Sequence, residues 1–308
     1  MDPDDSDSSE NPANSANSAN STIFSPAPVF SLGGALPVRR LGYGTAQLSG
    51  PGYWGPRHAD PRDAVAVLRR AVERGVNLLD TADNYGPAVA EELIAEALHP
   101  YPEGLVIATK GGVVRTSADA WHIDGRPESL RAMCDASLRR LRRETIDLYQ
   151  LHRLDPKVPL ADQIGTLLEL RDAGKIRYLG LDTVGPDELT AALALAPIAS
   201  VQNRYNLLDR GSEELLGLCE RHGIAFLPWF PLGNGGLTGG AARALDLVAE
   251  RHGASHGQIA LAWLLHRSPV LLPTPGTGAL AHLEENLAAA DIALSPADMK
   301  LLEDAADR

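Results

Sequence analysis

Between residues 41 and 289 one unit recurs along the chain: a short extended apolar run, then a longer stretch that is apolar on one helical face. The extended runs are Leu41–Ala46, Val76–Asp80, Leu105–Lys110, Ile146–Leu151, Ile176–Leu181, Ser200–Asn203, Ala225–Trp229 and Leu271–Pro273. Helical patterns follow over Pro61–Arg74, Ala90–Leu98, Pro127–Arg142, Leu160–Asp172, Pro186–Ala194, Glu213–His222, Ala242–Arg251, Gly257–Arg267 and Ala279–Ala289. In the first of these, Asp60 is a side-chain cap, Pro61 occupies the first helical position, and Ala64, Val67, Leu68 and Ala71 share a face. Gly75, Gly174 and Gly223 stand where helix C-termini favour glycine. Strands alternating with crossover helices make a parallel sheet, and eight such units close on themselves. The expected fold is α/β, a (β/α)8 TIM barrel. An open doubly wound sheet would want Gly-x-Gly-x-x-Gly after its first strand, but Gly42-x-Gly44 runs on into Thr45, Ala46, Gln47 and Leu48.

The barrel does not use the whole chain. Residues 1–22 are acidic and then an Asn-Ser-Ala repeat, a composition expected to stay disordered. At Val29 the text changes to two short alternating runs around Gly33-Gly34, the mark of a β-hairpin. One domain is therefore expected over 23–308. The net charge of −12, five acids of which lie in the tail, argues against nucleic acid or an anionic membrane as partner. No run of 18 apolar residues and no basic-then-apolar leader is found. Cys134 and Cys219 are too few for a disulfide framework, so reduced buried thiols and a cytoplasmic setting are expected.

Barrel chemistry sits at the C-terminal ends of strands. There the second, third and fourth strands deliver Asp80 with Tyr85 just beyond it, Lys110, and His152. A carbonyl that accepts hydride needs a proton, and a phenol with a pKa near 10 is a sluggish donor. An ammonium beside it lowers that pKa by about 1–3 units. Asp80 would hold Lys110 charged, and His152 would orient the carbonyl oxygen. None of these side chains carries hydride, so a cofactor must supply it. Metal chemistry is not expected: HExxH is absent and the histidines are scattered. Gly-x-Ser-x-Gly and P-loop motifs are absent as well.

The string GVNLLDTADNYGP (75–87), Lys110 after the next strand, and His152 in LYQLHRLDP resemble the aldo-keto reductase family from about Val29 to Ala289. LGYGTAQLSGPGYWGP (41–56), FLPWFPLG (226–233), QIALAWLLHRSP (258–269) and PGTGALAHLEENLAA (275–289) are most similar to its bacterial pyridoxal-reductase-like branch. The resemblance implies carbonyl reduction with NADPH, pyridoxal or a specialised-metabolite carbonyl being candidate substrates. It implies Asp80, Tyr85, Lys110 and His152 as catalytic residues. Thr45, Ala46, Gln202 and Trp229 would meet the nicotinamide, and Leu232 and Gly233 the pyrophosphate. Gly276, Thr277 and Gly278 would meet the adenosine phosphate, and Glu285 and Asn286 the adenine. Trp54, Trp121 and Tyr85 are candidates for the substrate pocket, whereas Trp263 belongs to the core.

Three departures from the family pattern stand out. Asp182-Thr183 replaces the usual Ser-Asn after strand five, exchanging an amide for an acceptor-only carboxylate. Near the adenosine phosphate, Gly276–Ala279 holds no Lys or Arg, leaving His282 as the cation of the segment and NADH as an alternative cofactor. The loop at 233–240 is unusually rich in glycine. These departures keep open a different class of function, a cofactor-binding regulatory protein on the same fold. Oligomeric state is not legible.

Overall fold

The computed structural model describes residues 29–58, 60–233 and 239–306. The tail expected over 1–22, and positions 234–238 of the glycine-rich loop, lie outside the described residues. The expected hairpin is present as β1 (Val29–Leu32) and β2 (Leu36–Arg39), with Leu32 opposite Leu36. Seven parallel strands then lie side by side in the order β3 (Tyr43–Gly44), β4 (Leu78–Asp80), β5 (Val106–Gly111), β8 (Ile146–Leu151), β9 (Ile176–Asp182), β10 (Ser200–Arg204) and β11 (Ala225–Trp229). Between β5 and β8 in sequence, β6 (Val113–Arg115) and β7 (Trp121–Ile123) form a separate antiparallel hairpin that the sequence reading did not anticipate.

The eighth stave is residues 271–276, and it closes the ring without becoming a regular strand. On one side the Leu272 amide donates to Phe226 O and the Phe226 amide to Val270 O, both at 2.8 Å. On the other, Gly42 N donates to Pro273 O at 3.0 Å and Gly44 N to Pro275 O at 3.4 Å. Pro273 and Pro275 have no N–H to return. That one-way ladder explains why the expected strand Leu271–Pro273 reduces to a bridge, and why Leu41–Ala46 shortens to Tyr43–Gly44.

The crossover helices are α1 (Pro61–Glu73), α2 (Val89–Leu98), α3 (Pro127–Leu141), α4 (Leu160–Asp172), α5 (Pro186–Leu193), α6 (Glu213–His222), α7 (Gly239–His252), α8 (His256–Arg267) and α9 (Leu280–Ala288). Asp60 caps α1 by accepting from Arg62 N, as its sequence suggests, and the face carrying Ala64, Val67, Leu68 and Ala71 is buried. Each large apolar side chain buried this way stabilises the fold by about 1.5–3 kcal/mol. A further helix, α10 (Pro296–Ala306), was not anticipated. Its start is marked by Ser295 and Asp298, which bond each other's backbone N–H at 3.1 Å.

Side chains of a strand alternate between faces, and here this decides what reaches the barrel interior. Leu79, Ile107, Tyr149 and Leu151 belong to the core between strands and helices, where Trp263 and both free cysteines are also buried. Leu78, Val106, Ala108, Leu148, Leu227 and Leu272 form a second, internal core with Leu32 and Val38 of the hairpin. The hairpin therefore belongs to the floor of the barrel. Two residues further along three strands the same inward alternation reaches Asp80, Lys110 and Gln150, and then His152. None of the described helices is long and apolar enough to cross a membrane.

Candidate active site

Above the internal core a cleft of about 460 Å³ opens at the C-terminal ends of the strands. Its base is a buried ionic layer. Lys110 Nζ donates to Asp80 Oδ1 at 2.8 Å and to Thr81 O at 2.9 Å, and it lies 3.5 Å from the Tyr85 hydroxyl. The Lys110 side chain is fully buried, which by itself would drive the proton off the amine. Asp80, with help from Tyr85 and Asp182, outweighs that penalty and raises the pKa, so Lys110 stays an ammonium. Asp80 takes a further hydrogen bond from Gln202 Nε2 at 3.0 Å and a longer one from Gln150 Nε2 at 3.5 Å. This layer needs room: a side chain at Gly180 would place its Cβ 2.2 Å from Ser200 Oγ, the group that donates to Gln150 Oε1.

Burial pushes the Tyr85 phenol up to about 12, the Lys110 charge pulling it down by less than burial raises it. The expected lowering is present as a contribution but does not win. Tyr85 therefore keeps its proton at neutral pH. Its ring stacks on Tyr53 at 5.9 Å and meets the His152 ring edge-on at 6.2 Å.

His152 is held well below the ordinary histidine range, first by burial and then by Lys110, Arg153 and Arg115. It is neutral. Asn84 Nδ2 lies 3.4 Å from both His152 Nδ1 and Val113 O, and with two acceptors to serve it donates to each. The imidazole proton then sits on Nε2, which is 3.9 Å from Asp182 Oδ2. Asp182 is buried and fixed by Arg153 at 2.8 Å and by the Thr183 hydroxyl at 2.6 Å. Burial raises its carboxyl to about 6 against the opposing pull of Lys110 and Arg153. Thr183 itself has φ +55°, a left-handed conformation that is costly for a β-branched residue.

Across the cleft stand Ala46, Gln202, Trp229, Leu232, Gly233 and Gly276. The Trp229 indole N–H is buried and without a partner among the described residues. Gln202 donates to Asp80 at 3.0 Å and accepts from Gln150 at 3.3 Å. Thr45 is buried with its hydroxyl on Asp80 O, and Thr277 and Gly278 lie on the turn that leads into α9. On that helix His282 and Glu285 are exposed, Asn286 is buried, and Glu285 bonds Ser255. Trp121 lines the cleft; Trp54 does not, and its neighbour Tyr53 does. Sequence reasoning also missed Asn84, Arg115 and Arg153. Arg115 lies 5.6 Å from the Tyr53 ring and bonds Gly52 O at 2.9 Å. The signal available for Arg153 was its place directly after His152, opposite an unexpected carboxylate.

The aldo/keto reductase family model matches residues 40–307. The chain is 47% identical over 262 residues to an uncharacterized oxidoreductase of Schizosaccharomyces pombe, covering 85% of each. It is 39% identical over 279 residues to pyridoxine 4-dehydrogenase of Escherichia coli, covering 88% of this chain and 96% of that one. A crystal structure of an aldo-keto reductase from Klebsiella pneumoniae in complex with NADPH superposes with a TM-score of 0.76 at 27% identity, covering 90% of this chain and 94% of the other. The chain thus belongs to the aldo/keto reductase family and is an NAD(P)H-dependent oxidoreductase.

Proposed function

We propose that this protein reduces a small aldehyde or ketone to its alcohol with NADPH, Tyr85 donating the proton. The observation that carries this reading is the contact of Lys110 Nζ with both Asp80 and the Tyr85 hydroxyl at the base of the cleft. The cleft suits a flat nicotinamide: Trp229 lines it with an indole N–H that has no partner among the described residues, and Ala46 and Gly276 add no bulk to its lining. Gln202, Asp182 and Thr183 would hold the carboxamide, and Leu232, Gly233 and Gly276–Gly278 the phosphates. The reduced ring supplies the hydride when bound.

The remaining work falls to the chain. His152, neutral with its proton on Nε2, donates to the carbonyl oxygen and fixes its direction. Tyr85 gives its proton as negative charge develops on that oxygen, and the adjacent Lys110 ammonium stabilises the phenolate left behind. Asp80 keeps Lys110 charged and in place. Asp182 is neutralised by Arg153, which keeps a bare carboxylate away from the developing oxyanion. Tyr53, Trp121 and Arg115 line the outer cleft and set which substrates enter. Likeness to pyridoxine 4-dehydrogenase supports pyridoxal among the carbonyls to try first.

The test is fluorescence titration with NADPH and NADH, followed by turnover on pyridoxal and a panel of aldehydes and ketones. Saturable binding and cofactor oxidation with at least one carbonyl are expected. Tight binding with no turnover on any carbonyl would overturn the reading and favour a regulatory role.

A further inference from the structure

The segment that follows the eighth stave, Gly276–Ala279, has no cation of its own to meet a phosphate dianion. The fold brings the Arg57 guanidinium and the His58 imidazole to it from the other side of the barrel seam. A Cβ built on Gly278 would lie 2.7 Å from His58 Nε2 and 2.9 Å from Arg57 Cδ, so the loop after β3 rests directly on this turn. His58 Nε2 is buried and has no partner among the described residues. Arg57 is exposed and uses one guanidinium nitrogen on Gln47, leaving the rest of the fork open.

Both partners are held in position. Arg57 N donates to Leu48 O at 3.1 Å and Gly50 N to Gly55 O at 2.8 Å, which pins the loop back on itself. Thr277 O accepts from the Tyr43 hydroxyl at 2.5 Å, and Thr277 Oγ1 accepts from Ala279 N at 3.1 Å. α9 then begins with Ala279 as a cap that offers no side-chain oxygen and with no acid in its first turn, so its positive end adds to the two side chains. The carboxylates nearby are accounted for. Asp63 lies 3.8 Å from His58 Nδ1, on the far side of the ring, while Glu284 is paired with Arg70 and Arg74 and Glu285 with Ser255.

We infer that Arg57 and His58, acting across Gly278 with Thr277, form the seat of the adenosine 2′-phosphate and make the protein selective for NADPH over NADH. The inference rests on the reading of the cleft as a nicotinamide dinucleotide site and assigns its phosphate selectivity to a loop on the opposite side of the seam from α9. Gly278 is then required because any Cβ would displace the two side chains that recognise the phosphate.

The experiment is calorimetric titration of the purified protein with 2′,5′-ADP and 5′-AMP, which differ only in the 2′-phosphate, and with NADPH and NADH. The wild-type chain should prefer 2′,5′-ADP by at least about tenfold, as expected for charge-assisted hydrogen bonds. Arg57→Ala with His58→Ala should erase that preference and weaken NADPH about 10–100-fold while leaving NADH within about twofold. Arg57→Lys should restore part of it, and an unchanged thermal midpoint would show that the loop has not simply unfolded. A double variant that keeps the wild-type preference overturns the inference. Equal affinity of the wild type for NADPH and NADH, with turnover, overturns it but leaves the carbonyl-reductase reading standing. Failure of all four nucleotides to bind overturns both.

Discussion

The two halves of the barrel rim solve different problems. Around the ends of β4, β5 and β8, charge is packed internally: Lys110, Asp80 and Gln150 bond one another together with Gln202 and Ser200 of β10, in a layer with little access to water. From β11 round to β3 the rim is instead rich in glycine and proline, with the Trp229 N–H lacking a partner among the described residues and Gly233 at φ +68°. The Lys110–Asp80 pair is held in place before any ligand arrives, the preorganisation that the proposed proton transfer requires. The second half leaves its capacity for a ligand to fill. Asp182 with Arg153 lies on the border, paired like the first half and lining the same cleft as the second.

Breaking the first half should have the largest effect. Lys110→Met leaves Asp80 buried without its ion partner, and the loss of a buried pair by removing one member costs about 3–5 kcal/mol. Urea denaturation should show that loss, and turnover should vanish with it. If stability were unchanged, the layer would not be the closed ionic unit described.

The border group comes next, and its sign can be worked out. A carboxyl raised to about 6 in the folded chain holds a proton that the unfolded chain releases near its ordinary pKa of about 4. Its contribution to stability is therefore present at low pH and falls as pH rises between those values, by an amount on the order of 2–3 kcal/mol. Asp182→Asn should flatten that slope in thermal midpoints measured from pH 4 to pH 7. An identical slope in the variant would remove Asp182 as its source.

His152 gives the opposite sign. Its folded pKa is depressed, so below about 6.5 the unfolded chain takes up a proton that the native chain refuses, and stability declines as pH falls. His152→Gln should be less sensitive to acid than the wild type in the same measurement. The smallest effect is expected at the outer wall, where Trp121 is 52% exposed. Trp121→Ala should shift KM for bulky carbonyls a few-fold and change stability by less than about 0.5 kcal/mol. A large change in kcat would move Trp121 into the reacting centre.

The inner half of this picture was legible because strand register is a sequence property. Asp80, Lys110 and His152 stand at strand ends on the same alternation as the internal core, and period-two reasoning finds them without coordinates. What escaped depends on pairings between distant segments. Nothing local ties Arg153 to Asp182, or distinguishes Tyr53 from Trp54 as the residue that faces inward. The hairpin of Val113–Arg115 and Trp121–Ile123 is too short to show alternation. The role of Arg140 escaped for the same reason: it bonds Glu91 Oε2 on α2 at 2.6 Å, and Glu91 is fully buried. A charged residue in the middle of the apolar pattern of α2 was the available clue, since such a group requires a buried partner. The eighth strand was placed correctly but drawn too regular, because Pro273 and Pro275 return no hydrogen bond on the side facing β3.

The central claim is that Tyr85, poised by Lys110, delivers the proton. Its most direct test is a single-turnover experiment in which enzyme preloaded with NADPH is mixed with an excess of a carbonyl substrate and nicotinamide oxidation is followed by stopped-flow absorbance. Tyr85→Phe should bind NADPH as the wild type does and oxidise it about 10²–10⁴-fold more slowly, the usual worth of a positioned general acid. Oxidation at the wild-type rate in that variant would contradict the account.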